Sequence, residues 1–255
     1  MFKKDVFGNL LIFKRLLILM VGIITYPMFH WLNRTRISGT ENLEGLPDKN
    51  VLFVSNHQTY FMDVICMYYV FCSVKWGFRN SIKNPLFLLN ARTNSYYIAA
   101  EETMKSGIMP KLLTYAGSVS IKRTWREAGK DVKKQVDMRD ISKIGMALED
   151  GWVVTFPQGT TTPFVKGRRG TAHIIKKYQP IVVPVVINGF RRTFAKKGLS
   201  VRKRGGTLSM HFKEPLNIDY TADGDLLLAQ IMDAIEQSEK FQFNYSEEAS
   251  PLPGA

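Results

Sequence analysis

Residues 51–63 read VLFVSNHQTYFMD, and their order decides the fold: an apolar run, a polar loop carrying His57, then Asp63 at the head of a second apolar run. Val51 to Val54 is short, β-branched and aromatic, the pattern of a buried strand, while Val64 to Phe71 reads as a buried helix. His57 therefore falls in a strand-to-helix loop, the place in an α/β sheet where ligands meet reactive side chains. An Asp near the helix start can turn back to hold the imidazole, which makes a general base with its orienter. The bland alternative is that Asp63 only caps the helix and His57 is satisfied by backbone.

Outward from this block the chain alternates. Strands are expected near 51–55, 74–79, 118–121, 152–156, 181–187 and 207–212, and helices near 61–72, 126–149, 171–178 and 223–240. Such alternation argues for an α/β fold with a mostly parallel sheet covered by helices on both faces. With 255 residues the chain can bury one sizeable core, and no internal repeat or long linker divides it. Residues 1–35 form an apolar, membrane-associating helical segment, 36–245 one domain, and 246–255, with Pro251 and Pro253, a tail expected to be disordered.

Three further blocks stand in order after the first. Gly117 to Arg123 is a short alternating strand with a basic end, and Ile181 to Ile187 an apolar strand interrupted by Pro184. Between them, Phe156-Pro157-Gln158-Gly159-Thr160-Thr161 follows the strand-like Trp152 to Thr155. Pro ends the ladder, Gly permits close backbone approach, and Gln and Thr bring hydrogen-bonding groups into a tight turn suited to a polar head group. Each block alone is ordinary structure.

Together they resemble the glycerolipid acyltransferase family that includes the 1-acylglycerol-3-phosphate acyltransferases. Asn56-His57 with Asp63 is similar to the family's Asn-His-x4-Asp; Gly117, Ile121 and Arg123 match its Gly-x-x-x-Ile-x-Arg strand. Phe156, Pro157, Gly159 and Thr160 match Phe-Pro-Glu-Gly-Thr-Arg, and Pro184 its Val-Pro-Val strand. The resemblance spans roughly Arg36 to Pro215, and order plus spacing make it far more specific than any single block.

It departs from the pattern twice. Gln58 through Met62 put five residues between His57 and Asp63 instead of four. On a continuous helix one added residue would swing Asp63 by about 100°, so His57 must lie outside the helix. Gln158 and Thr161 replace the family's Glu and Arg, which removes one charge of each sign and bears on acceptor recognition. Lys166, Arg168 and Arg169, just before Gly170 and the next helix, are candidates to replace the missing Arg in an anion site.

Lys and Arg number 35 against 22 Asp and Glu, a net charge of +13, which favours anionic partners: lipid head groups, acyl carriers or nucleic acid. Nucleic acid is the weaker reading, because no zinc spacing, RNA-binding signature or basic helical heptad is present. Cys66 and Cys72, six residues apart on one helix, are too far apart to bridge and form no metal site, so a reducing compartment fits best. No metal or resident cofactor is called for.

Leu16 to Leu32 is apolar apart from Thr25, Tyr26 and His30, and as a helix would be about 26 Å long, just short of a bilayer core of ~30 Å. Basic residues on both sides (Lys3, Lys4, Lys14, Arg15; Arg34, Arg36) give no clear orientation by the positive-inside rule. That symmetry favours a helix or hairpin dipping into one leaflet, with Tyr26, Phe29 and Trp31 at the interface; a single span is the rival, and a cleaved signal peptide is disfavoured.

The resemblance implies transfer of a fatty acyl group from acyl-CoA or acyl carrier protein to a lyso-lipid hydroxyl, foremost 1-acylglycerol-3-phosphate giving phosphatidate, at the cytoplasmic face of a membrane. His57 is the expected base and Asp63 its orienter. Asn56, Arg123, Pro157, Gln158, Gly159, Thr160, Arg168 and Arg169 are the expected substrate-binding residues. The alternatives are O-acylation of a lyso-aminolipid or other non-phosphate acceptor, and a non-catalytic lipid-binding module. Donor, chain length and oligomeric state are not legible.

Overall fold

The structure is a computed structural model that describes residues 3–105, 112–122, 126–127, 130–131 and 138–243. In chain order its elements are α1 (Leu11–His30), β1 (Arg34–Ser38), β2 (Val51–Ser55), α2 (Met62–Lys75), the single turn α3 (Leu86–Leu89), β3 (Ser95–Ala100), α4 (Glu101–Lys105) and β4 (Ser118–Ile121). A short pair follows, β5 (Arg126–Glu127) and β6 (Lys130–Asp131), then α5 (Met138–Asp150), β7 (Trp152–Thr155), α6 (Arg169–Tyr178), β8 (Ile181–Asn188), α7 (Phe190–Thr193), β9 (Thr207–Phe212) and α8 (Gly224–Ala234).

The main sheet has seven strands in the order β1-β9-β8-β2-β7-β3-β4. Every neighbouring pair is parallel except β8 with β9, so β1 and β9 run against the other five. β2 lies central and buried at every position, because VLFVS offers apolar side chains to both faces. On one face Phe53 meets Phe71 and Trp152, with ring centroids 4.6 and 5.3 Å away, and α1 and α2 close over them. On the other, Leu52, Val54, Val153 and Val182 pack beneath Ile144, Ile175 and Ile231 of α5, α6 and α8. The parallel strands all end on one edge, where the β2–α2 and β7–α6 loops meet.

Two expectations require correction, and one strand, β1, was not expected. Residues 76–79 form no strand; α2 runs to Lys75, and the strand between β7 and β4 is Ser95–Ala100. Residues 62–73 are all buried, so no change of apolar face marks where the helix should stop. The helix expected over 126–149 is described as helix from Met138 to Asp150, while Arg126–Glu127 and Lys130–Asp131 form the antiparallel pair β5–β6 instead; 128–129 and 132–137 lie outside the described residues. β1 escaped notice because RTRIS is an edge strand in which only Ile37 is buried. The strand expected over 181–187 is present as β8 and runs straight through Pro184: β9 pairs with it only from Val185 onward, so the missing N–H costs no rung there. The expected tail at 246–255 lies outside the described residues.

α1 is continuous over 20 residues despite Pro27. Lys14, Ile18, Val21, Gly22, Thr25 and Phe29 form its buried stripe, at helical spacing. Gly22 is needed there: a Cβ would stand 2.8 Å from the Leu88 side chain. The opposite face exposes Phe13, Met20, Ile23 and Ile24, and by length and composition the helix could cross a membrane. Lys14 is the unexpected member of the buried stripe. Its Nζ donates to the Ser95 carbonyl at 2.6 Å and to Asn94 Oδ1 at 3.3 Å and sits over the Tyr96 ring. Burial lowers its pKa to about 8.

Candidate active site

β2 ends at Ser55 and α2 starts at Met62, and the loop between them is organised from within. Asp63 is fully buried, and its carboxylate collects four donors. Oδ2 accepts from His57 Nδ1 at 3.0 Å and from the backbone N–H of Gln58 and Thr59 at 2.6 and 3.1 Å; Oδ1 accepts from the Thr59 hydroxyl at 2.7 Å. Asp63 thus holds the loop in front of the helix, a different task from capping it. The extra residue relative to the family pattern is absorbed because His57 is off the helix. With a carboxylate accepting from Nδ1, the proton belongs on that nitrogen and Nε2 carries the lone pair.

His57 is fixed from its other sides too. Its ring stacks on Phe156 with centroids 3.9 Å apart and planes 23° from parallel, and its side chain is 14% exposed. The residues beside it anchor the loop to β8. The Asn56 side chain donates to the Ile187 carbonyl and accepts from the Ile187 N–H, both at 2.8 Å; Gln58 Nε2 donates to the same carbonyl at 2.8 Å, and its Oε1 accepts from Arg191 N at 3.1 Å. Nε2 of His57 has no hydrogen-bond partner among the described residues and opens onto a cleft.

That cleft has a volume of about 770 Å³. Pro157, Gly159, Thr160, Arg168 and Arg169 border it, as does His57. Gly159, at φ 60°, leaves room for the Arg168 guanidinium, whose Nε donates to the Gln158 carbonyl at 2.9 Å; a Cβ would stand 2.6 Å from that Nε. Arg169 reaches the cleft edge and pairs with Asp225, which raises its pKa. Two predicted binding residues are not on the wall. Asn56 is the buried clamp just described. Gln158, 1% exposed, turns away, with Nε2 donating to the Val165 carbonyl and to Gln237 Oε1, each at 3.1 Å. Arg123 lies outside the described residues.

Several wall residues escaped the sequence reading. Lys122 and Lys196 add positive charge, and Asp140, the acid on the wall, is occupied by Lys143 and by the Lys122 N–H. Thr161, where the family has Arg, is buried, and its carbonyl accepts from the Arg191 guanidinium, delivered from α7. A smaller apolar cavity of about 40 Å³, between α1 and α2, shares Tyr60, Val64 and Tyr97 with the cleft. Cys66 and Cys72 are buried free thiols; burial pushes both pKa values up, Cys72 to about 12, so neither supplies a thiolate near neutral pH.

An α/β sheet with an oriented histidine at its strand ends, facing a cleft, fits a group-transfer enzyme. The chain belongs to the Acyltransferase family, whose profile matches residues 34–188. It is also similar in fold to the crystal structure of the 1-acyl-sn-glycerophosphate (LPA) acyltransferase, PlsC, from Thermotoga maritima. That match has a TM-score of 0.56 and 19% identity, over 92% of this chain and 81% of that one. No curated protein matches the chain.

Proposed function

We propose that the protein transfers a fatty acyl group from a thioester to the hydroxyl of a lysophosphatidate, giving phosphatidate, at a membrane surface on the cytoplasmic side. The observation that carries this reading is the placement of His57 Nε2 on a cleft rimmed by Lys122, Arg168 and Lys196. The base serves an alcohol, and the cations serve a phosphate on the same molecule. The name of the Thermotoga maritima structure is consistent with that acceptor.

In the step we envisage, Nε2 takes the hydroxyl proton as the acceptor oxygen attacks the thioester carbonyl. The tetrahedral intermediate collapses with cleavage of the C–S bond, and the imidazolium returns the proton to the departing sulfur. Asp63 holds the tautomer and stabilises the imidazolium, and general-base assistance of this kind contributes on the order of 10²–10⁴-fold. Direct attack by the acceptor suits a site in which no hydroxyl or thiol side chain bonds to His57 Nε2 among the described residues. The acyl chain would run past Tyr60 toward the apolar cavity whose wall includes Phe61. A non-phosphate acceptor is disfavoured by the charge of the wall; of the two changes that raised it, Gln158 lies off the cleft, and Thr161, which borders it, has the Arg191 guanidinium at its carbonyl.

An acceptor panel tests the reading. With acyl-CoA and acyl carrier protein thioesters as donors, lysophosphatidate should be acylated faster than lyso-aminolipids or monoacylglycerol, and glutamine at Arg168 should raise KM for it. Equal rates on charged and uncharged acceptors would refute the phosphate assignment.

A further inference from the structure

Residues 151–213 contain thirteen Lys and Arg and no Asp or Glu, so this span alone carries a formal charge equal to the +13 of the whole chain. Several cations elsewhere find carboxylates: Lys75 pairs with Asp48, Arg79 with Glu44 and Lys240 with Asp233. Within the span, Arg169 and Lys213 draw theirs, Asp225 and Glu236, from the C-terminal part of the chain. The hairpin at 190–206 draws none. Arg192, Lys196, Lys197, Arg202, Lys203 and Arg204 are all exposed, and none forms an ion pair among the described residues. Like charges gathered this closely repel, so their placement disfavours the fold unless an anionic partner neutralises them.

The backbone of this hairpin is well tied. Phe194 bridges Val201, Ala195 N donates to the Ser200 carbonyl at 2.9 Å, and Arg202 N donates to the Thr193 carbonyl at 2.7 Å. Its base is bonded to the end of α1: Gly205 N donates to the Leu32 carbonyl at 2.7 Å, Gly206 N to Asn33 Oδ1 at 3.0 Å, and Arg34 N to the Gly206 carbonyl at 2.9 Å. The cations at 202–204 therefore sit beside the C-terminal end of α1, where Trp31 is 79% exposed. At the other end, Tyr60 N donates to the Lys196 carbonyl at 3.0 Å, which joins the hairpin to the loop of His57.

We propose that the hairpin at 190–206 is an anionic-lipid docking element, and that it engages the head groups of the same leaflet into which α1 sets its outer face. The partner is identified by two chemistries meeting at Trp31: an uncovered apolar stripe, Phe13, Met20, Ile23 and Ile24, and an uncompensated basic cluster. A bilayer interface offers acyl chains to the first and phosphates to the second, the pairing of signals that gives firm peripheral attachment. An acidic carrier protein would neutralise the cations and leave the stripe in water. Docking of this kind does not depend on the proposed acyl transfer, and it would fix the His57 loop at the leaflet surface.

The full-length protein should be sedimented with vesicles of phosphatidylcholine alone and of phosphatidylcholine mixed equally with phosphatidylglycerol. The triple change Arg202→Gln, Lys203→Gln, Arg204→Gln, which leaves the backbone bonds of the hairpin intact, should weaken binding to the mixed vesicles by about 100-fold. Binding to phosphatidylcholine should be unchanged. The charge-keeping pair Arg202→Lys, Arg204→Lys should bind like the wild type, which separates charge from folding. Undiminished binding of the triple variant to mixed vesicles would overturn the proposal, as would an equal loss on both surfaces. So would normal vesicle binding combined with lost use of an acyl carrier protein donor in detergent, which would assign the hairpin to an acidic protein instead.

Discussion

The loop at 55–63 and the hairpin at 190–206 touch through two hydrogen bonds, Tyr60 N to the Lys196 carbonyl and Arg191 N to Gln58 Oε1, yet they are built on opposite rules. In the loop, the side chains of Asn56, Gln58, Thr59 and Asp63 are buried and hydrogen-bonded, and the open position is His57 Nε2. In the hairpin the backbone is paired while the side-chain charges, apart from that of Arg191, are left to the outside. The contrast teaches where function sits in each. A network with its polar groups satisfied fixes one reactive atom to within a fraction of an ångström, whereas a rigid backbone with uncompensated charge fixes only a surface of one sign. Reaction needs the first; docking on a fluid partner needs no more than the second.

The comparison breaks most visibly at Asp63. Asp63→Asn substitutes an amide for the carboxylate among four donors, and should lower kcat by about 10²–10⁴-fold with the overall fold retained, measured by single-turnover kinetics alongside circular dichroism. A loss confined to KM would place Asp63 outside the chemistry. Next in size is Asn56→Ala, which strands the Ile187 N–H and removes one of the two side-chain donors to its carbonyl, and should cost about 1–3 kcal/mol in urea unfolding. Unchanged stability would mean that the loop is not held from β8.

Lys14 sharpens the contrast, because it is a cation enclosed by the fold instead of offered to solvent. Its pKa of about 8 in the folded chain lies below the ordinary 10.5, so between these values the unfolded chain holds the additional proton. Below pH 8 the lysine is charged in both states and its desolvation cost is fully present. Stability contributed by this group then rises with pH, by up to ~1.4 kcal/mol per pH unit, and the wild type should gain on Lys14→Met from pH 8 to 10 in urea titrations. A difference that stays flat with pH would contradict the burial of its charge. The smallest effect is expected from Phe156→Leu, which removes the stack on His57 and should slow transfer about tenfold or less.

What the sequence revealed and what it withheld follow from distance along the chain. His57 and Asp63 are six apart, so strand, loop and helix start could be read from thirteen consecutive residues. Asn56 and Gln58 look equally suited to substrate, but their partner Ile187 is 131 and 129 residues away, and nothing local signals the clamp. Gln158 was misplaced for the same reason: Gln237, which accepts from it, is 79 residues on. β3 was missed because α2 is buried all round and its end is unmarked, and β1 because one edge strand with a single buried residue shows no alternation. The basic span was visible in the sequence as a run without acids. Its concentration in one unpaired hairpin beside α1 became visible only when the ion pairs of Arg169 and Lys213 could be set aside.

The central claim is that His57 acts as the base for acyl transfer to a lipid hydroxyl. Mass spectrometry of the lipids formed by purified protein from isotope-labelled acyl thioester and a mixture of lyso-lipids, run in parallel on the wild type and on His57→Ala, tests it most directly. The account predicts labelled phosphatidate from the wild type and a fall of about 10²–10⁴-fold in the folded variant. Labelled phosphatidate from His57→Ala at the wild-type rate would contradict it.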